Sequence, residues 1–178
     1  MKSLHLLRHA KSSWDDPVER DFDRPLNGRG HRAARRMGEW LQAEGPVFDR
    51  IIASPALRIR QTIEGVEAGL GSRLRPEFDK RIYMSSAAGL YDLIRETPDE
   101  VQSLLLIGHN PGVEDLLLLA TEGDSSPLRA EAHQKYPTAT FASIELPIES
   151  WADAAEGGAK LTRFVRPRDL DPTLGPDD

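Results

Sequence analysis

Four side chains in this sequence invite a chemical reading: the adjacent Arg8 and His9, then Arg58, then His109. Each follows a short apolar run. Residues 4–7 lead into Arg8-His9, and residues 104–107 into Gly108-His109-Asn110-Pro111. Residues 51–53 lead into Ser54-Pro55, with Arg58 one helical turn further on. Taken singly, each has an ordinary explanation, a satisfied histidine or a solvated arginine. Together they describe an anion site. Guanidinium forks match phosphate oxygens in pairs, which a lysine ammonium does not. Guanidinium charge disfavours a protonated imidazole, so a histidine beside it keeps a ring nitrogen free to attack phosphorus. The arginines and the second imidazole would then stabilise charge on the equatorial oxygens of the transition state. No carboxylate cluster accompanies these groups, and two histidines alone make a poor zinc site. The chemistry indicated is metal-free phosphoryl transfer through a phosphohistidine, with no cofactor.

For these residues to meet, the three apolar runs must be neighbouring strands that end on one edge of a sheet. Their near-continuous apolar character is that of strands buried on both faces. Residues 140–146 and 161–165 read as two later strands with more alternation, and 78–82 as a weakly signalled one. Between the strands lie helical stripes. One is Ala33, Met37, Trp40 and Leu41, on a helix opening near Asn27; a second is Ile59, Ile63, Val66 and Leu70. A third holds Leu90, Leu93 and Ile94, and a fourth spans residues 113–119. This alternation predicts a layered α/β domain with a mostly parallel centre, which binds ligands beyond the carboxyl ends of its strands. Ser54 is the expected N-cap of the second helix, with Pro55 at its first position. Helix N-termini after Ser54 and after His109 would add anion affinity. Arg58 lies off the apolar stripe and so is free to reach the strand edge.

Composition narrows the setting. The 178 residues suit one domain with a real core, and 39% hydrophobic content is too high for a disordered chain. No long uncharged apolar run is present to cross a bilayer. The first residues do not read as a signal peptide, because Arg8 and His9 interrupt the apolar stretch that follows Lys2. There is no cysteine, hence no disulfide framework. A formal net charge of -6 argues against a general nucleic-acid binder. The expectation is a cytoplasmic protein with neither membrane nor nucleic-acid partner. Arg24, Arg29, Arg32, Arg35 and Arg36 read as a solvated basic face, balanced by Asp15, Asp16, Glu19, Asp21 and Asp23. Met37 and Trp40 read as core. His5 lies in a strand and His31 and His133 on the surface, none with a visible partner. Residues 167–178, rich in Pro and Asp, read as a frayed tail beyond a domain of residues 1–166.

Four motifs occur in order. They are Arg8-His9-Ala10 with Lys11-Ser12-Ser13-Trp14, Asp21-Phe22-Asp23-Arg24-Pro25-Leu26-Asn27 with Gly30, Ser54-Pro55-Ala56-Leu57-Arg58 with Gln61-Thr62, and Gly108-His109-Asn110-Pro111-Gly112. In these the sequence resembles the histidine phosphatase (phosphoglycerate mutase-like) superfamily, and within it the small SixA-type phosphohistidine phosphatases. The resemblance implies a three-layer α/β/α sandwich on a mostly parallel sheet with an antiparallel edge strand. It implies His9 as the nucleophile and Arg8, Arg58 and His109 as the phosphate pocket, with Ser12 and Asn110 completing the substrate-binding set. Residues 135–138 resemble a family loop near the pocket.

The departures are informative. Ala10 replaces a glycine. Asp15 stands where mutase-type members carry an asparagine, and would repel the substrate or pair with an arginine. Lys80 falls where larger relatives place a glutamate general acid, with Glu77 and Asp79 nearby. An alkoxide leaving group needs a proton, whereas the imidazole of phosphohistidine departs more easily once its ring is protonated. The short chain also lacks insertions to cap the pocket. The expected substrate is therefore phosphohistidine on a partner protein, or a small phosphoramidate. The alternatives are a broad phosphomonoesterase using Glu77 or Asp79, and a non-catalytic module that binds phosphoproteins.

Overall fold

The three apolar runs become the central strands of a six-stranded sheet, in the computed structural model that describes residues 1–176. The strands are β1 (Lys2–Arg8), β2 (Arg50–Ala53), β3 (Glu77–Phe78), β4 (Ser103–Gly108), β5 (Phe141–Leu146) and β6 (Lys160–Val165). Their order across the sheet is β3-β2-β4-β1-β5-β6. The first four in that order pair in parallel. β5 runs against β1, and the edge strand β6 pairs antiparallel to β5. The reversal thus lies one strand in from the edge. Register aligns the chemistry: Leu7 and Ala53 both sit beside Ile107, and Arg8 beside Gly108. The strand ends stay tied past the last pairs, with His9 N–H donating to the Gly108 carbonyl and Ser54 N–H to that of Ile107, each at 3.1 Å.

Alternation along these strands explains the layers. Leu4, Leu6, Leu104 and Leu106 face α3 (Ala87–Arg95), α4 (Gly112–Ala120) and α5 (Pro127–Gln134). Leu7, Leu105 and Ile107 face α1 (Gly28–Glu44) and α2 (Leu57–Leu70). Each fully buried leucine contributes roughly 2 kcal/mol, so the strands that end in Arg8 and Gly108 are anchored on both faces. The α1–α2 contact is close because glycines sit in it. A Cβ at Gly38 would lie 2.1 Å from the Val66 carbonyl oxygen, and one at Gly69 2.0 Å from that of Arg35. That approach sets the position of α2, and with it Arg58.

Several local expectations need correction. α1 opens on Asn27 as expected, its Oδ1 accepting from Gly30 N–H at 2.8 Å. α2, however, begins at Leu57 rather than after Ser54, and its N-cap, Ala56, has no side-chain bond. The Ser54 hydroxyl is engaged elsewhere. α5 went unpredicted because only Ala132 on it is buried, leaving no stripe to read. Residues 167–174 are not a frayed tail: Pro167–Leu170 forms α6, and Leu174 is buried in the layer built on α1. Their apolar residues are too sparse to advertise packing. Residues 177–178 lie outside the described residues.

His5, expected to lack partners, bridges three strands. Its Nδ1 lies 2.8 Å from Ser143 Oγ on β5 and its Nε2 3.0 Å from Ser103 Oγ on β4, while the ring stacks on Phe141. Burial, then the Arg163 charge, lowers its pKa to about 4. The unfolded chain therefore takes up a proton near pH 6.5 that the folded one refuses until about pH 4. Stability is full above that interval and falls as pH drops through it, by about 3 kcal/mol from this residue. Urea titrations of wild type and His5→Gln between pH 7 and 4 should show a shallower decline in the variant; parallel declines would contradict this assignment.

Candidate active site

The carboxyl edge of the sheet delivers both histidines into one cleft of about 270 Å³. His9 follows β1 directly and is buried, with its Nδ1 2.8 Å from the carbonyl oxygen of Ala10. A carbonyl only accepts, so Nδ1 carries the proton and Nε2 keeps its lone pair. Burial holds the His9 pKa well below 6.5, aided by the charges of Arg8 and Arg58, against the opposing pull of the Ala10 hydrogen bond. The ring is neutral at physiological pH.

His109 follows β4, and its ring centre lies 5.4 Å from that of His9. Its Nε2 is 2.8 Å from the buried Ser54 Oγ. Ser54 Oγ also accepts from Ala56 N–H at 3.3 Å, and among the described residues its buried hydroxyl proton has no acceptor within reach other than His109 Nε2. The proton of the neutral His109 ring then sits on Nδ1, which is buried and without a hydrogen-bond partner among the described residues. It is a donor in want of an acceptor. Burial, then the Arg58 charge, lowers the His109 pKa to about 3.

Arg58 is buried, with Nη1 donating to the Asp21 carbonyl at 2.8 Å and Nη2 to Asp21 Oδ2 at 3.0 Å. Its Nε is buried and unpartnered. The same carboxylate accepts from Tyr83 Oη at 2.7 Å and from Arg24 Nε and Nη2 at 3.2 and 3.0 Å. Burial pushes the Asp21 pKa up, but the bonds from Tyr83, Arg24 and Arg58 outweigh it and bring it to about 2. Arg24 also donates to Ser12 Oγ. On the other side of the cleft, Arg8 Nη1 and Asn110 Nδ2 both donate to the Tyr136 carbonyl, at 3.0 and 3.1 Å.

The loop after His9 is held from beneath. Ala10 N–H donates to Thr62 Oγ1 at 2.9 Å, and Leu26 N–H to Gln61 Oε1 at 2.8 Å. A Cβ at Gly30 would come within 2.1 Å of the Lys11 carbonyl oxygen, so only glycine lets α1 pack under this loop.

The six side chains expected to form the site, Arg8, His9, Ser12, Arg58, His109 and Asn110, all line this one cleft. Asp15, Glu77, Asp79 and Lys80 do not. Asp79 is committed to Arg81, at 2.8 Å, and Glu77 to Arg50. Asp15 is exposed, with no place in the cleft lining. Sequence reasoning missed Asp21 and Arg24, reading both as surface charge. Their three-residue spacing just ahead of a capped helix was the available signal. Four cations, Arg8, Lys11, Arg24 and Arg58, face the single carboxylate Asp21 across the lining. Among the described residues no group of three or more His, Cys, Asp or Glu side chains is placed to hold a metal ion.

The sequence profile of the histidine phosphatase superfamily (branch 1) matches residues 4–104. The chain belongs to that superfamily. Histidine phosphatases of this kind share the sheet and flanking helices described above, and the chain is a phosphatase by membership. It is 34% identical over 164 residues to an uncharacterised protein of Mycobacterium tuberculosis H37Rv, covering 91% of this chain and 100% of that one. It is 28% identical over 145 residues to the phosphohistidine phosphatase SixA of Escherichia coli K12, covering 80% and 84%. A solved structure from Nakamurella multipartitia, a candidate phosphohistidine phosphatase SixA, superposes with a TM-score of 0.78 at 27% identity over 93% of this chain and 96% of that one.

The Ser54 contact yields a test. Ser54→Ala removes the donor that fixes the His109 tautomer, and loss of one buried hydrogen bond of this kind is worth about tenfold in rate. The expected outcome is a kcat reduced by about that factor with a thermal midpoint lowered by only about 2–6 °C, so that the enzyme stays folded in the assay; an unaltered kcat would show that His109 needs no such support.

Proposed function

We propose that this phosphatase hydrolyses phosphohistidine on a partner protein without a metal ion, by two transfers through His9. The observation that carries the reading is the contrast between two groups in the cleft: a neutral His9 with a free Nε2, and a lone carboxylate already ionised. His9 Nε2 attacks phosphorus as the P–N bond of the substrate breaks, and the departing ring nitrogen keeps the electron pair and takes its proton from solvent. Water then attacks the phosphorus of phospho-His9, the P–Nε2 bond breaks, and inorganic phosphate leaves. Arg8, Arg58 and His109 Nδ1 would donate to the equatorial oxygens throughout, with Ser12 and Asn110 shaping the pocket walls.

An acid is what the site lacks. Asp21, with a pKa of about 2, has no proton to give near neutrality, and Glu77 and Asp79 lie outside the cleft. Ester oxygens would leave poorly from such a site, whereas an imidazole that protonates in water leaves well. That disfavours the phosphomonoesterase alternative. The likeness to Escherichia coli SixA, itself a phosphohistidine phosphatase, points the same way. Among the described residues no helix is long and apolar enough to cross a membrane. A cytoplasmic phosphoprotein is the partner that this reading expects.

A phosphohistidine peptide and a panel of alkyl phosphates, each assayed with and without chelator, test the proposal. We expect the peptide to be preferred at least tenfold, no effect of chelator, and a loss of about a thousandfold or more in His9→Ala. Equal rates in wild type and His9→Ala, or sensitivity to chelator, would overturn it. The pH dependence offers a second check. Because the His9 pKa is depressed, free Nε2 persists as pH falls from 8 to 6 and is lost only below that. Single-turnover phosphorylation of His9 should therefore be flat over this range, and an acid limb centred near 6.5 would contradict the neutral nucleophile.

A further inference from the structure

Two large apolar side chains stand at the mouth of the cleft, and the phosphate chemistry gives them no task. Trp14 is 74% exposed and Met84 58% exposed, and both line the cleft. Isolated exposed apolar residues are common, but a pair bordering a cationic pocket is a local concentration of apolar surface. The Trp14 side chain is held on one side, and Met84 is placed through its backbone. The Arg24 guanidinium lies 3.7 Å from the centre of the Trp14 ring, and Arg24 is itself held by Asp21 and Ser12. One ring face is covered and the other open. Met84 has φ of 54°, in the left-handed region that a residue bearing a Cβ enters against a steric cost. It directly follows Tyr83, whose ring meets His109 edge-on and whose hydroxyl donates to Asp21. The contacts that order the phosphate groups therefore also place the two apolar side chains.

We infer that Trp14 and Met84 are specificity-determining residues that grip a planar heteroaromatic leaving group, the imidazole of a phosphohistidine, while its phosphoryl group lies among the arginines. This rests on the phosphohistidine reading above. An indole face stacks on a flat ring, and a thioether favours a ring edge. Protonation of the free ring nitrogen, which makes the imidazole a good leaving group, also gives the ring a positive charge before the P–N bond breaks, and an indole face attracts that charge further. A serine or sugar phosphate offers no such face. The pair would thus add selectivity at the leaving group, where the arginines supply none.

Phosphoimidazole and phosphoramidate separate these effects, because both carry a P–N bond and only the first carries a ring. The readout is the ratio of their kcat/KM values. Trp14→Ala should lower the ratio about fivefold and Met84→Ala about twofold, with Trp14→Phe restoring it to within about twofold of wild type. If Trp14 served only to hold Arg24, both rates would fall together. An unchanged ratio in both alanine variants overturns this inference alone. Failure of the wild-type chain to turn over either compound overturns the phosphohistidine reading, and this inference with it.

Discussion

A cleft that gathers four cations before any substrate arrives must hold them apart from one another and still keep them dry. Asp21 is what makes this arrangement tenable. Its carboxylate and carbonyl together take both terminal nitrogens of Arg58 and two nitrogens of Arg24, with the Tyr83 hydroxyl on the same carboxylate. Arg58 is almost wholly buried, and a buried charge deprived of its partner costs about 3–5 kcal/mol. One carboxylate thus offsets the burial of Arg58, relieves its repulsion with Arg24, and fixes the direction of both forks. The donors it leaves over are those that the proposed reaction would turn on a phosphoryl group.

The histidines obey the same electrostatic logic from the other side. Burial and surrounding guanidinium charge both act against imidazolium, so His9 and His109 stay neutral where an exposed pair would be partly protonated. Neutrality makes the tautomer decisive. The backbone carbonyl of Ala10 settles it for His9, and the Ser54 hydroxyl settles it for His109, in opposite senses: one ring offers a lone pair, the other a proton. Rigid parallel strands are needed for this, since the proposed nucleophile and donor on adjacent strand ends keep their separation only if the register between β1 and β4 holds.

How much of this was legible in the sequence follows from where each signal is written. The strands ending in Arg8, Ala53 and Gly108 are continuous apolar runs, and the edge at which their sequels meet is a consequence of parallel pairing; both could be read. Helix α2 was placed too early because Ser54-Pro55 has the composition of a helix start, yet Ser54 serves His109 instead. The sequence shows the residue type and not which of two partners wins. Arg24 looked like exposed charge because charge alone does not reveal burial, and Asp21 is indeed exposed but carries no sign in sequence of the partners it holds. α5 and Leu174 carried too few apolar positions to produce a period, and their order comes from tertiary contact.

The role of Asp21 also bears on what the site can cleave. A carboxylate shared by three donors is a poor acid and a firm anchor, and no one group in the cleft can be both. A site that spends its only carboxylate on anchoring has given up protonating an alkoxide. The proposed substrate suits such a site, because its leaving group can find a proton in water through a mouth open to solvent at the leaving side. The half-exposed Asp21 and the uncovered Trp14 and Met84 describe such a mouth. The identity of the anchor and the openness of the entrance are thus two consequences of one arrangement, and both support the proposed preference for phosphorus bonded to nitrogen.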